Sequence, residues 1–157
     1  MKIDWALLAV SALPSQEGLC GVLGAGADTF PALETADLVL PPGISPPPGA
    51  ITAIRFFVVM RLLVARIEMG KPHAIEVAIQ TVDGTTALNL GAVIVPAPNP
   101  GLPPGWDQGA LVPLEVAFNP PSFGHYSVEI TLDTDHKKSI PFRVVKSQPP
   151  PQMQQLP

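Results

Sequence analysis

The chain is short of thiols, of charge and of any uninterrupted apolar run. One cysteine, Cys20, occurs in 157 residues. A lone thiol can close no internal disulfide and build no multi-cysteine zinc site, and such usage fits a reducing compartment, here the cytoplasm. Asp, Glu, Lys and Arg supply 14% of the residues, against about 25% in an average soluble domain. The balance is net −4, from 9 basic against 13 acidic residues. A nucleic-acid binder needs a basic patch to displace counterions from phosphates. Here Arg55, Arg61 and Arg66 are spread along an apolar stretch, and Lys137–Lys138 stands beside Asp133 and Asp135, so nucleic acid is not the expected partner. Those three arginines also interrupt Ile51–Met69, the one segment long enough to span a bilayer. Each costs roughly 2.5–3.5 kcal/mol near a helix centre, and no membrane span is expected. The opening Met1-Lys2-Ile3-Asp4 lacks the basic region and unbroken apolar core of a signal peptide and reads as mature structure.

Proline is plentiful, 21 of 157 residues, against a background near 5%. Each proline fixes φ and removes a backbone donor, so long helices through most of the chain are excluded. The apolar fraction of 46% is enough for one buried core, and the length fits one domain.

Strand signals recur every 8–12 residues or so. Ile3–Leu13 and Leu19–Phe30 read as an antiparallel pair, with Gly21, Gly24 and Gly26 predicting bulges or close backbone approach. Phe30–Ala50, with its Pro-Pro-Gly and Pro-Pro-Pro-Gly runs, reads as a long extended connection. Ile51–Leu63 is rich in β-branched and aromatic residues and reads as a central strand; a helical turn is possible in Leu62–Met69, before Gly70. In His73–Val82 the alternation turns Ile75, Val77, Ile79 and Val82 inward and Glu76 and Gln80 outward. Asp83-Gly84 is a strong hairpin signal, returning through Thr85–Val95. Pro96–Asp107 forms a loop carrying Trp106. Leu111–Phe118 is a strand, and Asn119–Gly124 makes a corner. His125–Leu132 places Tyr126, Val128, Ile130 and Leu132 on one face. Ile140–Val145 closes the sheet. The expected fold is all-β: an antiparallel, immunoglobulin-like β-sandwich of about eight strands over residues 1–146, with a small barrel as the alternative. Residues 147–157 form a Pro/Gln-rich tail with too little apolar area to offset chain entropy, and are expected to be disordered.

Several stretches, taken together, point to a family. They are Met1-Lys2-Ile3-Asp4-Trp5-Ala6-Leu7-Leu8-Ala9 with the Gly-rich 23–29 segment, Gly70-Lys71-Pro72-His73 leading to Val82-Asp83-Gly84, and Gly101–Gly105. Phe123-Gly124-His125-Tyr126 and Pro141-Phe142-Arg143-Val144 complete the set. This set resembles a family of small bacterial β-sandwich domains of unknown function, over roughly residues 1–145. The Phe-Gly-x-Tyr element is similar to the late strand of immunoglobulin-like domains, where a Tyr sits at a sandwich corner. The resemblance implies the fold and a bacterial cytoplasmic setting; it carries over no activity and no site.

Candidate chemistry is sparse. His73, His125 and His136 lack the short spacings of a zinc site. Asp83, Asp133 and Asp135 lie in predicted turns, where carboxylates can gather around calcium or simply bond the turn backbone. No Gly-x-Ser-x-Gly occurs, Cys20 lies in an apolar stretch without a cationic neighbour, and the glycines at 21, 24 and 26 precede no Lys-Ser/Thr. No catalytic residue, metal or cofactor is assigned. With so few charges, large apolar areas must face outward, and burial against another copy or a partner protein is the physical remedy. The expected function is a non-catalytic structural or protein-binding module that self-assembles into a homo-oligomer, with Trp106, Phe56, Phe57 and Val59 as interface candidates. Two alternatives stand beside it: a metal-dependent enzyme or calcium-binding module using the loop Asp and His residues, and a phage or compartment shell subunit.

Overall fold

The computed structural model describes residues 1–14, 20–38, 41, 43–45, 47–103 and 105–147. The tail expected to be disordered lies outside the described residues apart from Ser147. The all-β expectation holds, with ten strands: β1 (Lys2–Ala9), β2 (Ser11–Pro14), β3 (Cys20–Leu23), β4 (Thr29–Ala32), β5 (Ile54–Val64), β6 (His73–Thr81), β7 (Thr86–Ile94), β8 (Gln108–Phe118), β9 (Gly124–Leu132) and β10 (His136–Lys146). A three-stranded sheet, β1-β5-β8, faces a five-stranded sheet, β4-β10-β9-β6-β7, and β2-β3 form a separate ribbon.

Alternation explains the layers. In β5, Ile54, Phe56, Val58, Met60, Leu62 and Val64 are all buried. They face Ile75, Val77 and Ile79 of β6, Val128, Ile130 and Leu132 of β9, and Phe142 and Val144 of β10. At the centre five rings from five strands meet. Phe56 lies 5.0 Å from Phe30 and 5.5 Å from Phe142, and Tyr126 stacks on Phe142 at 5.5 Å. Phe118 meets Tyr126 edge-on at 5.3 Å. Such offset and edge contacts add roughly 0.5–1.5 kcal/mol per pair beyond area burial.

The strand order is that of an immunoglobulin domain. The chain's β1, β5 and β8 take the places of strands A, B and E, while β6, β9 and β10 take those of C, F and G. Strand β7 adds beside β6 as the variable-type domains add strands to that sheet. The Tyr126 hydroxyl, at the start of β9, donates to the Ser122 carbonyl at 2.5 Å, the tyrosine-corner bond of this fold. Among the described residues of 95–107 there is no strand, so the place of strand D beside β8 is empty.

Several expectations need correcting. The N-terminal pair does not form as a whole: β1 pairs with β5, and only Ser11–Pro14 pairs with Cys20–Leu23. The sheet is not purely antiparallel, because β4 runs parallel to β10; Phe30 and Ala32 are inserted in the core there, inside what reads as connection. The Pro-rich run is folded into turns rather than extended, with Ile44 N–H donating to Pro41 and Ala50 N–H to Pro47. Gly49, at φ +76, supplies the left-handed position such a turn requires. Val82 sits at the hairpin turn and is exposed, not inward. Cys20 is half-buried on the ribbon rather than in the main core. Ile51–Met69 is strand β5 followed by a 3-10 turn at Arg66–Glu68, and no helix among the described residues is long and apolar enough to cross a membrane.

Candidate interaction surface

Of the four interface candidates, the structure leaves one fully on the surface. Phe56 points into the inter-sheet core with no exposure. Val59, on the opposite face of β5, is covered by the β2-β3 ribbon, where it packs with Ala9 and Ala12; Phe57 is half-buried against the same cluster. Phe56 and Val59 are therefore core residues, a correction with a simple cause. A central strand has two faces, one closed by the facing sheet and the other here by a ribbon that the alternation within β5 does not announce. Trp106 is 65% exposed in the loop joining β7 to β8, held by a turn in which its N–H donates to Pro103.

The loop carboxylates and histidines are distributed as follows. Asp133 and His73 meet: Asp133 Oδ2 lies 2.9 Å from His73 Nδ1, and Asp133 Oδ1 accepts from the Ala74 N–H at 3.0 Å. The His73 ring is buried, with Nε2 3.4 Å from the Glu68 carbonyl, not half-exposed as its place after a turn proline suggests. The hydrogen bond from His73, with that from Ala74, holds the Asp133 carboxyl below its ordinary 3.8. Asp133 itself adopts φ +53, a conformation Asp and Asn tolerate better than other side chains. Asp83 is at the other end of β6, its carboxyl lowered by the Thr81 hydroxyl and the Thr85 N–H. Eight residue steps at about 3.3 Å put the two ends of β6 roughly 26 Å apart, so no single ion can be shared by Asp83 and Asp133. Among the described residues, no three His, Cys, Asp or Glu side chains form a metal-holding group.

The surface with the strongest chemical bias was not singled out by spacing or motif. Residues 84–106 contain no Asp, Glu, Lys, Arg or His, and they form β7 and the Trp106 loop. Strand β7 is the outer strand of the five-stranded sheet. Its Leu90 is 37% exposed and its Val93 69%, and Val95 just beyond is 59% exposed. On its inward side Leu88 and Ile94 only partly reach the core, as do Ala110, Val112 and Leu114 of β8. Among the described residues, no strand pairs with the outer edge of β8. On the outward side, Gly91 stands opposite Glu76 and leaves a groove of about 530 Å³ bordered by Ala74, Glu76, Asn89 and Val93. The one charge there, Glu76, accepts from Asn89 Nδ2 at 2.7 Å. The legible signal was the length of the charge-free run in a chain of this composition.

Among curated proteins, none matches the chain. A family model does, over residues 47–145, which takes in β5 through β10 and leaves β1 to β4 outside the matched segment. With well over half its length matched, the chain belongs to DUF6941, a family of unknown function.

Proposed function

We propose that this protein is a non-catalytic structural module that works by protein–protein association, in the first place with further copies of itself, in a bacterial cytoplasm. The observation that carries the reading is the charge-free surface of residues 84–106: an outer strand and a loop exposing Leu90, Val93, Val95 and Trp106. Leu90, opposite Val77, and Val93, opposite Ala74, flank the edge on its two faces; exposed apolar surface on a small domain marks an interaction site, and an exposed indole is a frequent anchor. The His73–Asp133 pair supports the non-catalytic reading, because both ring nitrogens already face partners that tie the β9-β10 turn to β6 and to the Arg66–Glu68 turn. The test is solution mass by light scattering after size exclusion across a concentration series. A multiple of 16.5 kDa is the expected result, and a monomer at every concentration refutes self-association. Particles in the void volume would indicate a shell subunit instead.

A further inference from the structure

The two sheets have four outer strands, and three of them are guarded. Strand β4 is four residues long and contains Pro31. Strand β1 carries Lys2 and Asp4 and has a register shift between Ile3 and Trp5. Strand β8 carries Pro113 and Glu115. Short length, proline, charge and bulges are the devices by which natural sheets prevent edge-to-edge pairing. Strand β7 has neither proline nor charge in its nine residues, Thr86–Ile94, and its one bulge, at Ala87, leaves Leu88–Ile94 regular.

We propose that β7 pairs with β7 of a second copy, antiparallel about a two-fold axis near Leu90, joining two five-stranded sheets into one continuous sheet. The proposal rests on the self-assembly reading above and names its surface. The occupant is argued from charge. Each copy is net −4, so contact between two copies costs least where neither carries charge, and β7 with the loop after it is the longest such run in the sequence. The strand is also self-complementary. About Leu90 the pairs are Leu90 with Leu90, Leu88 with Ala92 and Asn89 with Gly91, so the leucines meet apolar partners and no like charges oppose each other. The nearest charge, Glu76 on β6, would be three strand spacings from its counterpart, roughly 14 Å, beyond a Debye length of about 8 Å at physiological salt. Antiparallel pairing supplies on the order of one hydrogen bond per paired residue, and a two-fold contact closes at a dimer.

The experiment compares the wild type with Leu90→Lys and Leu90→Glu by light scattering, with circular dichroism as the check of folding. The wild type is expected at twice 16.5 kDa. Each variant alone places like charges opposite each other at the axis and should weaken the dimer by about tenfold or more, while an equal mixture of the two restores it. Variants that stay dimeric, or a mixture that stays monomeric, overturn the edge pairing and leave self-association standing. A wild type that is monomeric at all concentrations overturns both. Should the variants lose their fold, hydrogen exchange of the wild type decides. Amides of β7 protected in the concentrated sample and unprotected on dilution support the pairing; exchange in β7 that is independent of concentration refutes it.

Discussion

Replacing Phe56 with Ala separates a core residue from an interface residue, and the structure fixes the expected size of the effect. The Phe56 side chain has no exposure and sits between Phe30 and Phe142 with centroid distances of 5.0 and 5.5 Å. Both neighbours stand on the facing five-stranded sheet, so they cannot collapse into the space without shifting β4 or β10. Phe→Ala at such a site costs about 3–5 kcal/mol, combining lost transfer energy with the cavity left behind. That is a large share of the roughly 5–15 kcal/mol available to a typical domain. At about 2–4 °C per kcal/mol for a chain of this size, the melting temperature should fall by roughly 10 °C. With a urea dependence of about 1–3 kcal/mol per molar, the midpoint should move down by about 2 M. The assay is urea unfolding followed by far-ultraviolet circular dichroism, at one protein concentration for both proteins. A loss below about 1.5 kcal/mol would refute the placement of this ring in a closed core. So would a variant with unchanged stability but weakened association, the behaviour of a surface anchor.

Other perturbations follow from the same coordinates. Tyr126→Phe removes the hydroxyl that donates to Ser122 O and lies 3.3 Å from Ser122 N; because Ser122 is itself exposed and can rehydrate, a loss of about 1–2 kcal/mol is expected in urea unfolding, with the strand pairing unchanged. Gly24→Ala introduces a Cβ that would stand 2.8 Å from Val10 Cγ2 at φ +64, whereas Gly26→Ala at φ +78 meets open space. The left-handed backbone alone costs about 1–2 kcal/mol, so both should destabilise and Gly24→Ala by more; equal melting temperatures would refute the contact with Val10. For Asp133 the folded carboxyl titrates below its ordinary 3.8, with the His73 hydrogen bond as the largest cause. Its contribution is therefore present above the unfolded value and lost as pH falls through the folded value. Asp133→Asn, which keeps the tolerance for φ +53, should lower stability at neutral pH and flatten the decline on the acid side. Parallel acid limbs for the two proteins, measured as urea midpoints across pH, would contradict this.

What the sequence disclosed and what it hid follow from how far each signal reaches along the chain. The alternation in β6 and β9 is local, set by a period of two and bounded by Asp83-Gly84 and by the 119–124 corner, and both strands lie where the pattern puts them. The corner position of Tyr126 was implied by the resemblance of Phe-Gly-x-Tyr to the late immunoglobulin-like strand, and the structure adds its partner, Ser122, four residues away. The strand β4 was not, because Thr29–Ala32 has a proline at its centre and gains its bonds from β10, more than a hundred residues later. The same holds for Val59. Its burial depends on a ribbon that crosses the outer face of β5, and nothing within Ile54–Val64 distinguishes an outward residue that will be covered from one that will not. His73 was misjudged for a related reason, since the carboxylate that engages it arrives from the β9-β10 turn. The loop alone left open whether Trp106 is exposed or folded back on the sandwich, and β7 could be recognised as an unguarded edge only once the strand order was known.

The scarcity of charge and the missing strand are one problem seen at two scales. A sandwich with strand D in place would bury the inward residues of β8 and give that side of the molecule a further strand. Here the chain passes from β7 to β8 through Pro96–Asp107, and Ala110, Val112 and Leu114 stay half-buried on one side of the gap, with Leu88 and Ile94 on the other. A monomer would be expected to guard such an edge with charge or proline, as the other three outer strands do with Lys2, Asp4, Glu115 and Pro31. Residues 84–106 do the reverse and carry no ionisable side chain. Another exposed apolar group, Val10, Leu13 and Leu23 at the ribbon, lies on or beside strands of only four residues, one ending in Pro14, where extended pairing cannot propagate far. Compared with the ribbon, β7 combines length, an outer position and neutrality. The proposed assembly through that strand would account for the low charge of the whole chain without requiring a second partner.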